Sequence, residues 1–514
     1  MYSMNILFIN PSLRLGSPTK YLPVGIASVM TYAESKGYYF DFLDIDIDDL
    51  SDSQVERELC DKQYDVVLTG SIVTHYKWIK WLSRVVRRIN QDALIVVGNS
   101  VAGSIPEIFL KNSEADIAVI GEAEITICEI LDRCSKNQQL SGIKGTAYKS
   151  VDGKITVNER RIAVKKLDEL PMIDWRFFDT DKYFEKSYAG ADGLLFEEGK
   201  NPRVMPLVSA RGCVFRCTFC HFVFWNDPYR YRSPENIVRE IERNVGEYGI
   251  NYVNFWDDLS FGSLNQAERL ADALISAKVD INWNAAVRTD LFGNPKFPES
   301  KRRGIAEKFR ESGCLNLGFS LESANEEILV MMEKKVRREY FLKQVEILRD
   351  CGITSSVSVV FGYPIETEAT INETFSLCEA GGIYPSIGYL LPLPATGMYE
   401  YAINNGFILD QDKYLDSITE RQDLCLNMTT MPDEQVLDAI QIGAERLNSV
   451  LNLGLGEDSL IRTGSYRNHT KETADDSSKT MLRRIKNDVS FNYSQSSFDN
   501  TLGHVTKDKS HAGQ

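Results

Sequence analysis

Two stretches of this chain alternate short apolar runs with amphipathic ones, and that alternation constrains the fold more than any other feature. The first begins at Asn5. Ile6-Leu7-Phe8-Ile9 reads as a buried strand closed by Asn10-Pro11-Ser12, and Gly25 to Ala33 has helical spacing that stops at Gly37. Phe40 to Ile45, Asp65 to Ser71, Ala93 to Gly98 and Ala115 to Gly121 read as further strands, with a helix through Trp78, Leu82, Val85 and Ile89. Strands alternating with helices at this spacing imply a parallel, doubly wound sheet. Ligands in such sheets gather at the strand carboxyl ends. Those ends are Asn10-Pro11, Gly70-Ser71, Gly98-Asn99 and Gly121-Glu122. Glycine there lets a ligand approach the backbone.

The second alternating stretch follows a connector without clean periodicity, from about Gly145 to Arg203, whose Asp174-Trp175-Arg176-Phe177-Phe178 patch is expected to pack a domain interface. Val204 to Val208 leads in as a strand, then come a helix from Asn236 to Tyr248 and strands Tyr252 to Asp258, Ile281 to Arg288, Leu315 to Glu322 and Ser355 to Phe361. Helices Ile305 to Ser312 and Tyr340 to Cys351 separate some of them. This predicts a partial or full (β/α) barrel with its functional groups at the strand carboxyl ends. Helical segments run on to about Leu453, and from Gly454 the chain turns polar, which predicts a disordered or weakly attached tail. The expected division is 4–135, a connector 136–203, a barrel 204–394, a helical cap 395–453 and the tail 454–514. Tyr384, Tyr389 and Tyr399 are candidates for a substrate pocket, with simple burial as the competing reading.

Composition narrows the function. At 514 residues the chain exceeds one ordinary core. Its 43% hydrophobic and 25% charged content are those of a soluble globular protein. No segment approaches the roughly twenty apolar residues of a membrane helix. A net charge of −15 weighs against a nucleic-acid backbone as partner. The basic clusters at Arg84, Arg87 and Arg88 and at Lys301 to Arg303 read as solvated helix faces. Ten cysteines without a secretory signal point to a reducing compartment, so the expected location is the cytoplasm.

Three of those cysteines stand apart. Cys213, Cys217 and Cys220 lie within eight residues, separated by three and then two positions, on a loop opened by Gly212 and flanked by Arg211 and Arg216. Closely spaced thiolates on one loop can grip three corners of an iron–sulfur cube, whereas protein-held clusters ordinarily take four cysteines. A three-cysteine loop leaves one iron open to another ligand. Buried apolar cysteines are the ordinary alternative, and that is the reading for Cys314, Cys351 and Cys378. Cationic neighbours favour thiolate at the triplet.

The pattern Cys-x-x-x-Cys-x-x-Cys, with Phe219 just before the last cysteine, resembles the signature of the radical S-adenosylmethionine (SAM) superfamily. The resemblance implies a 4Fe–4S cluster whose open iron chelates SAM, and a 5′-deoxyadenosyl radical made by reductive cleavage of the sulfonium. The stretch from Met4 to Ser135 resembles the cobalamin-binding domain found ahead of many such cores, through Leu22-Pro23-Val24-Gly25-Ile26-Ala27, Val97-Gly98-Asn99 and Gly121-Glu122-Ala123-Glu124. Many relatives carry Gly-Gly-x-His where this chain has Gly98-Asn99-Ser100. No histidine precedes His75, so the cobalt is not expected to take a histidine from the loop after the first strand. A domain that keeps the fold without the cofactor is the alternative.

The resemblance also suggests individual contacts. For SAM these are Phe219 near the adenine, Asp257 or Asp258 at the amine, Arg288 at the carboxylate, and Gly318, Ser320 and Glu322 beside the nucleoside or methionyl part. The acids could equally be a helix N-cap pair, and Arg288 an internal ion-pair partner. For cobalamin they are Ser71, Gly98, Gly121 and Glu122. Cys60, Cys128 and Cys134 lack the spacing of a second cluster, which counts against a methylthiotransferase. The activity implied is methyl transfer to an unactivated carbon of a small molecule, lipid or peptide, with a flavodoxin or ferredoxin as reductant. Radical cyclisation, oxidation or rearrangement is the alternative. A non-catalytic corrin-binding sensor is a third reading, against which the intact triplet argues.

Overall fold

In the computed structural model of the protein, residues 4–12, 19–187, 202–221, 227–419, 421, 423–457 and 460–461 are described. The first sheet contains β1 (Ile6–Asn10), β2 (Asp41–Asp44), β3 (Val66–Gly70), β4 (Leu94–Gly98), β5 (Ile117–Val119), β6 (Thr146–Lys149) and β7 (Ile155–Val157), in the order β2-β1-β3-β4-β5-β6-β7. The pairings from β1 to β5 are parallel. Both faces of this sheet are covered, which is why β1 reads as an unbroken apolar run. Ile6 and Phe8 pack with Ala27, Met30 and Ile130, whereas Leu7 and Ile9 pack with Ile79, Leu82 and Val85. The strand order reverses between β1 and β3, so the ligand crevice opens there.

β6 and β7 extend the sheet by antiparallel pairing, so it continues past the boundary expected at 135. They are short, and Tyr148 and Lys149 alternate with neither a clean apolar face nor a helical one. The connector that follows carries the aromatic patch into the join between the two halves. Trp175 is fully buried, and Phe177 and Phe178 meet Phe40 and Phe42 at centroid distances of 5.4 and 5.0 Å.

The second sheet is a curled, six-stranded half-barrel. Its strands are β8 (Val204–Leu207), β11 (Tyr252–Phe255), β12 (Asn282–Ala286), β13 (Cys314–Glu322), β14 (Thr354–Phe361) and β15 (Ser386–Tyr389). They pair in parallel and in sequence. Of the two barrel forms expected, the partial one is found. A two-stranded ribbon, β9 (Ala210–Arg211) with β10 (Arg230–Tyr231), stands at the carboxyl end of β8.

The C-terminal helices tie the halves together. Helix Gln411–Ser417 returns to the first domain, where buried Lys80 reaches Asp412 at 3.0 Å and Asp416 at 2.8 Å and Tyr76 donates to Asp412. Helix Asp433–Val450 lies against helix Glu368–Gly381 at Gly443, where any Cβ would overlap the Phe375 ring. The three tyrosines expected at a pocket are used for packing. Tyr389 and Tyr399 are buried, and the Tyr384 hydroxyl donates to the Leu460 carbonyl. Buried Leu460 also shows packed chain beyond 454, while 462–514, most of the expected tail, lies outside the described residues.

Candidate functional site

The cysteine loop leaves β8 through Ser209 and turns at Gly212, whose φ of +91° and 3.2 Å clearance from the Pro228 carbonyl exclude a side chain without strain. Thr218 pins the loop: its N–H donates to the Met332 carbonyl, its hydroxyl to that of Met331, and its own carbonyl accepts from Met398. Cys213 and Cys217 are half-buried and Cys220 is exposed. Crowding of the sulfur by surrounding protein raises all three thiol pKa values, Cys220 included, although that residue as a whole stays exposed. That of Cys220 reaches about 12, with Cys217 and then Asp258 adding to the effect. Among the described residues no three His, Cys, Asp or Glu side chains gather around a single metal ion. A cubane does not need that, because each thiolate binds a different iron.

The two acids of the second barrel strand separate cleanly. Asp257 is buried and consumed by the loop, accepting from Ser209 N, Ser209 Oγ and Ala210 N at 2.8, 2.6 and 2.9 Å. It shapes the cysteine loop, with three hydrogen bonds accepted from it. Asp258 stays reached by solvent and crowded by protein beside Cys213 and Cys220. That crowding first, and Asp257 second, push its pKa up to about 6. Neither is a helix cap.

Other expected contacts divide the same way. The Arg288 guanidinium holds Asp290 at 2.6 Å and lies 3.8 Å over the Phe215 ring, so it is already paired within the barrel. Buried Glu322 sits at φ +65° and pairs with Lys334 at 2.9 Å. Burial works against the Lys334 ammonium, yet Glu322 and then Cys217 keep its pKa above the usual lysine range. Lys334 therefore faces the cluster loop. Sequence reading missed it, because Glu333-Lys334-Lys335 looks like any charged surface turn. Ser320 accepts a 2.8 Å hydrogen bond from Ser358, Gly318 faces the concave side, and Phe219 meets Tyr363 edge-on.

On the first sheet the strand ends are bare backbone. A Cβ on Gly98 would make only ordinary contacts, whereas one on Gly70 would press on the Gly98 carbonyl at 3.0 Å. Gly121 takes φ +92°. Asn99 takes φ +62°, with its side chain accepting from Ser100 N. It thus holds a backbone conformation that glycine would otherwise supply. Buried Ser71 Oγ lies 3.1 Å from His75 Nδ1. Glu122 follows Gly121 at the same edge. Its carboxylate pairs with Arg230 at 2.7 Å and Arg211 at 3.5 Å, which ties the first sheet to the ribbon β9–β10. Glu124 reinforces it, bonding Arg211 at 2.6 Å. Tyr21, between β1 and the first helix, meets Trp256 beyond β11 at 4.9 Å. The carboxyl edges of the two sheets therefore face one another.

Residues 207–378 match the Radical SAM superfamily and residues 14–131 match the B12 binding domain. The chain carries a radical SAM domain and, ahead of it, a B12-binding domain. Its cofactors follow from the two domains: a 4Fe–4S cluster and SAM from one, cobalamin from the other. The chain is similar to an uncharacterised methyltransferase of Pyrococcus horikoshii, 28% identical over 64% of this chain and 67% of the relative. It is also similar to the anaerobic magnesium-protoporphyrin IX monomethyl ester cyclase of Rubrivivax gelatinosus, 24% identical over 73% of this chain and 66% of that protein. The chain thus spans about two thirds of each. Among solved structures, the radical SAM methyltransferase TsrM of Kitasatospora setae shares the fold, with a TM-score of 0.62, 17% identity and coverage of 79% of this chain and 77% of that one.

The residues present fit these groups. Three pinned thiols on one loop leave a fourth position open, with Lys334 and Arg288 nearby to offset a cluster's negative charge. The glycine edge of the first sheet offers a flat cradle that side chains would fill. No helix among the described residues is long and apolar enough to cross a membrane.

Proposed function

We propose that this radical SAM protein is a cobalamin-dependent methyltransferase that places a methyl group on an unactivated carbon of a small molecule. The observation that carries this reading is the meeting of the two strand edges, bridged by Glu122, Glu124 and Arg211 on one side and by Tyr21 against Trp256 on the other. A corrin held on the glycine edge and a SAM held on the charged edge share one cleft. When bound, the cluster supplies the electron that splits SAM, and the corrin supplies the methyl group. The chain's own residues bind and orient. Cys213, Cys217 and Cys220 hold the cluster, Asp257 shapes their loop, and Asp258 faces the SAM ammonium. Lys334 and Glu322 set the charge beside the nucleoside. Ser71, Gly98 and Gly121 line the corrin edge. A flavodoxin or ferredoxin is the proposed reductant, and the free thiols suit a reducing cytoplasm.

Anaerobic reconstitution with iron, sulfide and hydroxocobalamin tests the reading. The loaded protein should retain corrin, release 5′-deoxyadenosine from SAM, and yield a product heavier by one methylene unit. An intact cluster without retained corrin removes the methyl-transfer half. The cyclase relative favours a second reading, in which the product shows unchanged mass or loss of hydrogen.

A further inference from the structure

The concave face of the half-barrel has a chemistry of its own. Along β11, β12 and β13, Phe255, Trp283 and Leu317 point outward into the helix-packed core. Alternate residues face the cleft, and at one register on three adjacent strands they are Asn254, Asn284 and Asn316. Barrel interiors are ordinarily filled by branched apolar side chains. A row of three carboxamides is a costly floor unless each amide finds a partner. Asn316 has its partners, donating to Thr354 at 2.7 Å and accepting from Ser356 at 3.1 Å. Asn284 Oδ1 is buried without one. The row above is small, with Ala286, Gly318 and Ser356 in register. Asn254 also lines a small cavity with Trp256 that Tyr21 and Leu22 close from the first domain. Charge appears only at the strand ends, where Arg288 and Glu322 are already paired.

We infer that this asparagine row is the substrate floor, and that it takes a small, neutral molecule presenting a carboxamide-like edge, such as a lactam, a urea or an imide. The inference rests on the catalytic reading above. An anionic substrate would find no counter-ion on this floor. A carboxamide edge matches asparagine donor for acceptor and gives Asn284 Oδ1 the partner it lacks.

The test uses the anaerobically loaded protein and equilibrium dialysis with two probes of one ring: uracil, a neutral imide, and orotate, the same ring with a carboxylate. Uracil should bind saturably and orotate at least about tenfold more weakly. Asn284→Leu, close in size, should weaken uracil by about fivefold or more, the loss of one hydrogen bond. Asn284→Asp, which keeps the shape and adds a charge, should weaken it as well. Both variants should retain SAM as tightly as the parent. Equal binding of the two probes, no saturable uracil binding, or uracil affinity unchanged in both variants overturns the inference. A parallel loss of SAM affinity also overturns it, because the floor would then serve the adenosine. Failure of the parent to retain corrin or cleave SAM is a different result: it brings down the catalytic reading, and this one with it.

Discussion

The two sheets meet edge to edge, but they dress those edges differently. The first ends in Gly70, Gly98 and Gly121, with Asn99 held at positive φ, so its ligand side is almost all backbone. The second ends in Asp258, Arg288 and Glu322, with Lys334 reaching in from beyond β13. A broad corrin needs room and close backbone approach. A zwitterionic amino acid joined to a sulfonium needs placed charges. On the proposed reading each edge suits its ligand, and Glu122 and Glu124 join the first domain to Arg211 and Arg230.

The most severe way to break this division is at the cysteines. Replacing Cys213, Cys217 or Cys220 with alanine should abolish the cluster and drop 5′-deoxyadenosine formation to background. Corrin retention, measured by its visible absorbance, should survive because no cysteine stands on the glycine edge. Loss of both together would show that the edges do not bind independently.

The adjacent acids sharpen the comparison within the charged edge. Asp258→Asn should weaken SAM binding roughly 10- to 100-fold, the worth of one charge-assisted hydrogen bond. Asp257→Asn should instead destabilise the fold by about 1 kcal/mol, because the oxygen that accepts from the Ser209 hydroxyl becomes an amide nitrogen while the two backbone N–H groups keep theirs. Denaturation midpoints and SAM titrations on both variants separate the effects. An equal loss of SAM affinity in both would refute the division of labour.

Why the pair could not be separated in sequence is instructive. Both acids end the same strand, and alternation alone says only that they point opposite ways. Which direction is the cleft depends on the helices packed behind the strand. The same holds for Glu122, whose partner Arg230 lies 108 positions on, and for Lys334, whose neighbours make it functional. What was legible is what repeats locally. Buried strands announced themselves as apolar runs, their carboxyl ends as glycines, and the cluster loop as three spaced thiols. Strands β6, β7, β9 and β10 were not, because two to four residues at a sheet edge carry too little period to read.

A charged side chain, Asp44, also stands at the glycine edge. Asp44 ends β2, accepts from Asn10 at 2.7 Å and from Tyr183 at 2.9 Å, and so fastens helix Thr180–Ser187 to the first sheet. Burial raises its pKa to about 6, against the opposing pull of those two donors. Because the folded protein protonates more readily than the unfolded chain, this group favours folding most at low pH. Its penalty grows as pH rises and levels off above 6, at no more than about 3 kcal/mol. Asp44→Asn should therefore gain stability over the parent by about 1 kcal/mol between pH 5 and pH 7, read from urea denaturation. A gap that stays constant across that window would mean the carboxylate is fully compensated by its donors.

The smallest effect belongs to Asn99, where the edge achieves a glycine conformation without glycine. At φ +62° and ψ −168° Asn99 holds a conformation that is essentially glycine's, and its side chain accepts from Ser100 N. Asn99→Gly should change stability by only a few tenths of a kcal/mol and leave corrin retention intact. Asn99→Val should cost about 1–2 kcal/mol, since a β-branched residue is strained at that φ. Thermal unfolding alongside corrin absorbance reads both. If Asn99→Gly alone loses corrin, the side chain itself touches the ligand, and the first edge is not a purely backbone surface.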